Sequence, residues 1–128
     1  MARILIADDE DSMRSLVSRA IAMDGHEIVT AQDGAEALEI IVRENGAFDL
    51  LLTDIKMPLM DGIALALAVA RDFPDLTILL MTGFADQRER ASGLDAIIYD
   101  VITKPFAIAD IRTAVADALA SKKRINNP

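Results

Sequence analysis

A chain of 128 residues without cysteine is long enough to bury a single core, and it can build neither a disulfide framework, a zinc ribbon nor a thiol nucleophile. Its formal charge of −8, from 21 acidic and 13 basic side chains, argues against direct nucleic-acid binding, because phosphate contacts need a basic face. Hydrophobic residues make up 52% and aromatics 4%, so the core is aliphatic, and the longest apolar run, Ile63 to Ala70, is too short to cross a membrane.

Strand and helix patterns then alternate five times. Arg3 to Ala7 is a short apolar strand. Acidic residues begin at Asp8, so no signal peptide is expected, and a cytoplasmic location is the expectation. The stretch that follows sets Met13, Leu16, Val17, Ala20 and Ile21 on one helical face, and Asp24-Gly25 closes it. Glu27 to Ala31 is the second strand. Asp33 caps the second helix, with Glu36 as capping-box partner and Leu38, Ile41 and Val42 as its buried face. Phe48 to Thr53 is the third strand, delivering Asp54 at its end. The third helix, from about Gly62 to Asp72, is apolar all round. Ile63, Ala66, Leu67 and Ala70 can face the sheet, which would leave Leu65, Ala68 and Val69 outward. Leu76 to Met81 is the fourth strand. Ala85 to Gly93 is a weak helix with almost no apolar anchor. Ala96 to Thr103 is the fifth strand. The last helix runs from about Ile108 to Lys122, with Ile111, Val115, Ala118 and Leu119 inward. The basic cluster Lys122, Lys123 and Arg124 complements the dipole at its end.

Apolar strands separated by helices imply a five-stranded parallel sheet covered on both faces. Right-handed crossovers then give an α/β, doubly wound, flavodoxin-like (βα)5 sandwich. Residues 1–122 read as one domain, 123–128 as a short tail with no output domain.

In such a sheet, residues just past the strand ends meet at one edge, where ligands bind. Here they are Asp8 and Asp9, Asp54, Thr82 and Lys104. Three close carboxylates raise one another's pKa unless a cation joins them. All-oxygen ligands with open positions suit Mg2+ better than Ca2+. Simpler roles exist for some of these residues: Asp8 and Asp9 could cap the first helix, Asp61 could cap the third, and Thr82 could serve only a turn.

The segments ADDE, LLTDIKMPLMDG, MTG and TKPF, in this order and each at a strand end, resemble the receiver domain of bacterial response regulators, the CheY-like family. The resemblance covers essentially the whole chain. It implies Asp54 as phosphoacceptor and Mg2+ held by Asp9, Asp54 and the backbone carbonyl of Lys56, with Asp8 helping through water. It further implies Thr82 as the switch hydroxyl, Lys104 as the lysine that pairs with the phosphoryl group, and a cis Lys104-Pro105 bond. The donor would be a histidine kinase or a histidine phosphotransfer protein. His26, the only histidine, follows a glycine between helix and strand and reads as a packing or surface residue, so the chain is not itself expected to be the donor.

The chain departs from the family pattern at Val101, where receivers usually carry Tyr or Phe. Phe84 offers a substitute moving aromatic, and Tyr99 a weaker one. The TGFA segment together with Val101 resembles CpdR-type regulators of alphaproteobacteria, which implies a downstream target in substrate delivery to the ClpXP protease. The expectation is a signalling switch rather than an enzyme. An aspartyl-phosphate hydrolase on this fold usually carries an acid where Lys56 stands, and an FMN site would want a phosphate-cradling loop in place of the acidic one. A pseudo-receiver, binding partners without phosphorylation, is the alternative, and so is a phosphorelay intermediate.

Overall fold

The computed structural model describes the backbone of residues 1–126 and the side chains of residues 1–121. Five strands, β1 (Arg3–Ala7), β2 (Glu27–Ala31), β3 (Leu50–Asp54), β4 (Thr77–Thr82) and β5 (Asp100–Thr103), alternate with five helices, α1 (Asp11–Ala22), α2 (Gly34–Arg43), α3 (Gly62–Asp72), α4 (Ala85–Ala91) and α5 (Ile108–Asn126). All strand pairs are parallel, in the order β2-β1-β3-β4-β5. This is the flavodoxin-like winding, and it reverses direction at β1 and β3, where the crevice opens.

The period of two along each strand divides the core. Leu5, Leu51, Ile78 and Leu80 pack under α2 and α3 with Ala37, Ile41, Leu65 and Val69. Ile4, Ile6, Leu50, Leu52, Leu79 and Met81 pack on the other face against Val17, Ala20 and Ile21 of α1 and Ile111, Val115 and Ala118 of α5. Strands buried on both faces explain why these segments read as unbroken apolar runs.

Two helix faces differ from expectation. On α2, Ala37, Ile40 and Ile41 are buried, whereas Leu38 is only half-buried and Val42 is 58% exposed. On α3, Leu65 and Val69 point inward with Ile63 and Ala66, and Leu67 is 50% exposed. A helix apolar all round offers two rival stripes about 100° apart, and the one holding Leu65 and Val69 wins because it buries the larger side chains. No outward patch of Leu65, Ala68 and Val69 therefore exists.

Boundaries shift as well. Thr82 is the last residue of β4 rather than a residue beyond it, and β5 is half as long as expected because 95–97 form a turn after a short 3₁₀ segment, Ser92–Leu94, and the strand starts only at Asp100. α5 continues past Lys122 to Asn126, so most of the expected tail is helical. The side chains of Lys122, Lys123 and Arg124, and residues 127–128, lie outside the described residues. Among the described residues no helix is long and apolar enough to cross a membrane.

Candidate functional site

The site lies at the carboxyl ends of β1, β3, β4 and β5. Asp8 follows β1 and is fully buried. Its backbone N–H donates to the Ala31 carbonyl at 3.2 Å, its Oδ1 accepts the Glu10 N–H at 3.0 Å, and its carbonyl accepts from Arg14 Nη1 at 2.9 Å. It is thus a tethered anion rather than a cap: α1 begins at Asp11 behind Glu10, whose side chain makes no capping bond. Asp9, the next residue, is exposed at the rim.

Asp54 closes β3. Its Oδ1 accepts the Ile55 N–H at 3.0 Å, and that same N–H extends the ladder to Met81 O at 2.9 Å. The loop behind it turns back tightly. Gly62 donates to Ile55 O at 2.7 Å, and a Cβ at Gly62 would collide with the Asp54 carbonyl, so only glycine fits this close approach. Asp61 caps α3 by accepting the Ala64 N–H at 2.8 Å, as one of the simpler readings held, and its other oxygen meets Arg90 Nη2 of α4 at 3.1 Å. Asp61 and Gly62 therefore hold the loop close against the end of β3.

Lys104 completes the crevice from the end of β5. Its Nζ lies 3.3 Å from Asp8 Oδ2 and 3.5 Å from Asp54 Oδ2. The Lys104 N–H donates to Thr82 O at 2.8 Å, and the Lys104-Pro105 bond is cis. Thr82 is buried, and its Oγ1 accepts the Phe84 N–H at 3.1 Å, which leaves the hydroxyl proton available to another acceptor. Phe84 is 49% exposed, with Lys56 Nζ 4.7 Å from its ring centroid. That cation–π contact covers one side of the ring. Val101 is half-buried, and beside it a cavity of about 580 Å3 opens between α4 and β5, lined by Ala85, Arg88, Ala91, Ile98, Tyr99 and Val101 among others.

Carboxylate oxygens of Asp8, Asp9 and Asp54 come within 4.8 Å of one another. Burial, the largest cause, pushes Asp54 above the ordinary 3.8 to about 6; nearby Asp8 adds to the rise and Lys104 opposes it. Three carboxylates beside one ammonium leave two negative charges uncompensated, which is the charge of one divalent cation. An oxygen-only set with one exposed carboxylate fits Mg2+, which binds through few carboxylates and keeps several waters.

Asp8, Asp9, Asp54, Thr82 and Lys104 thus lie around one crevice or at its rim, whereas the contact found for Lys56 is that of its ammonium with the Phe84 ring. Arg14 was not expected: it sits on α1 six residues from Asp8, and an arginine in a helical pattern looks like any solvated cation. The Arg90–Asp61 tie was likewise invisible, because the two residues are 29 apart. His26 packs, its Nδ1 accepting the Ala2 N–H at 3.1 Å.

A profile of the response regulator receiver domain family matches residues 4–116, and the chain belongs to that family. Phosphorylation on aspartate and use of Mg2+ in two-component signalling are general features of the family. Among curated relatives, the response regulator MprA of Mycobacterium leprae is 34% identical over 121 residues, 94% of this chain and 52% of that protein. A probable transcriptional regulator, ycf27, of Cyanophora paradoxa is 32% identical over 126 residues, 98% of this chain and 50% of that protein. The chain spans about half the length of the curated relatives it matches. Among solved structures, the response regulator TrrA of Thermotoga maritima, determined in complex with Mg2+ and BeF, is 30% identical with a TM-score of 0.82, covering 92% of this chain and 99% of that one. A response regulator receiver domain protein of Clostridium thermocellum gives a TM-score of 0.88 at 26% identity, covering 98% of this chain and 99% of that one.

Proposed function

We propose that this receiver domain accepts a phosphoryl group on Asp54 from a phosphohistidine donor, a histidine kinase or phosphotransfer protein, and thereby switches its contacts with a downstream protein. The observation that carries the reading is the placing of Lys104 Nζ within 3.5 Å of both Asp8 and Asp54, inside a crevice that still lacks two positive charges. An Asp54 carboxylate oxygen attacks phosphorus as the phosphorus–nitrogen bond of the donor breaks, and the departing imidazole takes up a proton. An acyl phosphate is left on Asp54. Such a transfer needs positioning and charge neutralisation above all. Lys104 pairs with one phosphoryl oxygen. Asp9, Asp54 and the Lys56 carbonyl are the groups that would hold Mg2+, with Asp8 behind them, and the ion supplies neutralisation of the remaining oxygens.

The Thr82 hydroxyl donates to the phosphoryl group once it is present. A bond that exists in one state alone is what biases a two-state element. Because Phe84 donates its N–H to Thr82 Oγ1, a shift of Thr82 is felt at once by Phe84. Its half-exposed ring then takes the part that an aromatic at Val101 would play. The output is protein contact rather than turnover, and the likeness of TGFA and Val101 to CpdR-type regulators favours a target in substrate delivery to the ClpXP protease.

The test is labelling by a small donor such as acetyl phosphate with Mg2+. Wild type takes up one phosphoryl group and Asp54→Ala none; equal labelling of the two would overturn the acceptor assignment. Reconstituted proteolysis with and without phosphorylated chain tests the output, and no response of the protease would remove that finer reading while leaving the receiver intact.

A further inference from the structure

The Asp8–Asp9 segment raises a question of support. Asp9 is exposed, and no hydrogen bond to its carboxylate is among the described contacts, so the direction of that carboxylate depends on the backbone that carries it. The peptide unit joining Asp8 to Asp9 is planar, and its oxygen is the Asp8 carbonyl. Holding that oxygen fixes one of the two peptide planes that flank Asp9; the other is held where the Glu10 N–H donates to Asp8 Oδ1 at 3.0 Å, and the two together set the direction in which the Asp9 side chain leaves the chain. The N-cap side chain adds nothing to this turn: Glu10 makes no capping bond and instead accepts from the Ser12 hydroxyl at 3.1 Å.

We infer that Arg14 is the positioning residue of the Mg2+ site, acting through the Asp8–Asp9 peptide. Its side chain is only 18% exposed. Nη1 donates to the Asp8 carbonyl at 2.9 Å, while Nη2 is steadied by Asp11 at 2.5 Å. The planar guanidinium makes both contacts at once from two nitrogens held in a rigid fork, which the single-point ammonium of a lysine lacks. The Arg14 backbone N–H makes the first bond of α1, to Glu10 O at 2.9 Å, so the guanidinium reaches back to Asp8 from a residue fixed in the helix. Asp11 itself is 88% exposed and serves the guanidinium rather than the peptide. The inference rests on the Mg2+ site proposed above.

The test is a Mg2+ titration followed by the amide shifts of Asp9 and Asp54 in wild type, Arg14→Ala, Arg14→Met and Asp11→Ala, with thermal unfolding in chelator beside it. Arg14→Met keeps the apolar stem and removes only the donors, so it answers even where the alanine variant folds poorly. Both Arg14 variants are expected to bind Mg2+ about 10-fold or more weakly, the range seen when a group that orients a metal ligand is lost. Asp11→Ala should stay within about twofold, as expected for a single exposed ion pair. Arg14→Met binding Mg2+ as wild type does, or a fall in unfolding temperature with no change in Mg2+ affinity, would make Arg14 a merely structural brace and overturn the inference. Equal weakening in Asp11→Ala would assign the effect to the ion pair and overturn it too. Absence of any Mg2+ response in wild type would instead overturn the site on which the inference rests.

Discussion

Two helices on the same face of the sheet are held in opposite ways. α3 buries Gly62, Ile63, Leu65, Ala66 and Val69, and its first residue is locked against the Asp54 carbonyl. α4 buries Ala91 alone. Its remaining attachments are polar: Arg88 Nη1 donates to Val101 O at 3.0 Å and Thr103 Oγ1 at 2.7 Å, and Arg90 reaches Asp61 at 3.1 Å. Burying a Leu or Val side chain contributes about 1.5–3 kcal/mol, whereas an exposed ion pair contributes about 0–1. The Asp54 side of the crevice is therefore built on contacts that resist exchange. The Thr82 side leads into a helix whose contacts can be given up cheaply, over a cavity into which side chains can move. A switch needs both, a fixed point where chemistry happens and a neighbour with more than one arrangement of similar energy.

The largest expected effect follows from the fixed side. Leu65→Ala should cost about 2–5 kcal/mol in urea unfolding, since its side chain is fully buried. A cost below 1 kcal/mol would mean that α3 is no better anchored than α4 and would erase the contrast.

Next is the charge stored at Asp54. Its carboxyl binds a proton more tightly folded, with a pKa of about 6, than unfolded, near 3.8. The folded state therefore holds the advantage fully below the lower value and loses it as pH rises through the upper one. Above pH 7 and without Mg2+, ionised Asp54 costs the fold about 3 kcal/mol, the free-energy equivalent of a shift of that size. Asp54→Asn should accordingly be more stable than wild type at pH 7.5, with the difference shrinking between pH 6 and 4, and Lys104 retains Asp8 as partner in the variant. A stability difference that is flat across this range would contradict the assigned burial.

The smallest effects belong to α4. Arg88→Ala and Arg90→Ala should each change global stability by less than about 1 kcal/mol. Amide exchange across 85–94 should nonetheless quicken, with 62–72 unchanged. Quickening in both helices alike would show that they open as one unit.

Much of this was readable from residue order alone. Five apolar runs separated by helical stretches dictated the sheet, and the carboxylates, threonine and lysine at strand ends dictated the crevice, because a parallel sheet leaves its strand ends no other place to meet. Leu65 and Val69 escaped because the α3 segment carries no polar residue to mark its outer face, so periodicity had nothing to fix the rotation. Val42 escaped for a related reason: α2 offers two adjacent apolar stripes, and only packing against α3 selects Ala37 and Ile41. Arg14, Arg88 and Arg90 escaped because what matters is the backbone oxygen or distant carboxylate they reach, and no spacing rule encodes a contact made across the fold.

Occupation of the Asp54 pocket should be felt at α4 and not at α3. Beryllofluoride with Mg2+ stands in for the phosphoryl group, and amide shifts in wild type and Asp54→Ala read the response residue by residue. Shifts are expected at Asp54, Thr82 and Lys104 that spread through Phe84, α4 and β5 in wild type, leave α3 beyond its first turn unmoved, and vanish in the variant. Shifts confined to the pocket, or a wild type that does not respond at all, would contradict this.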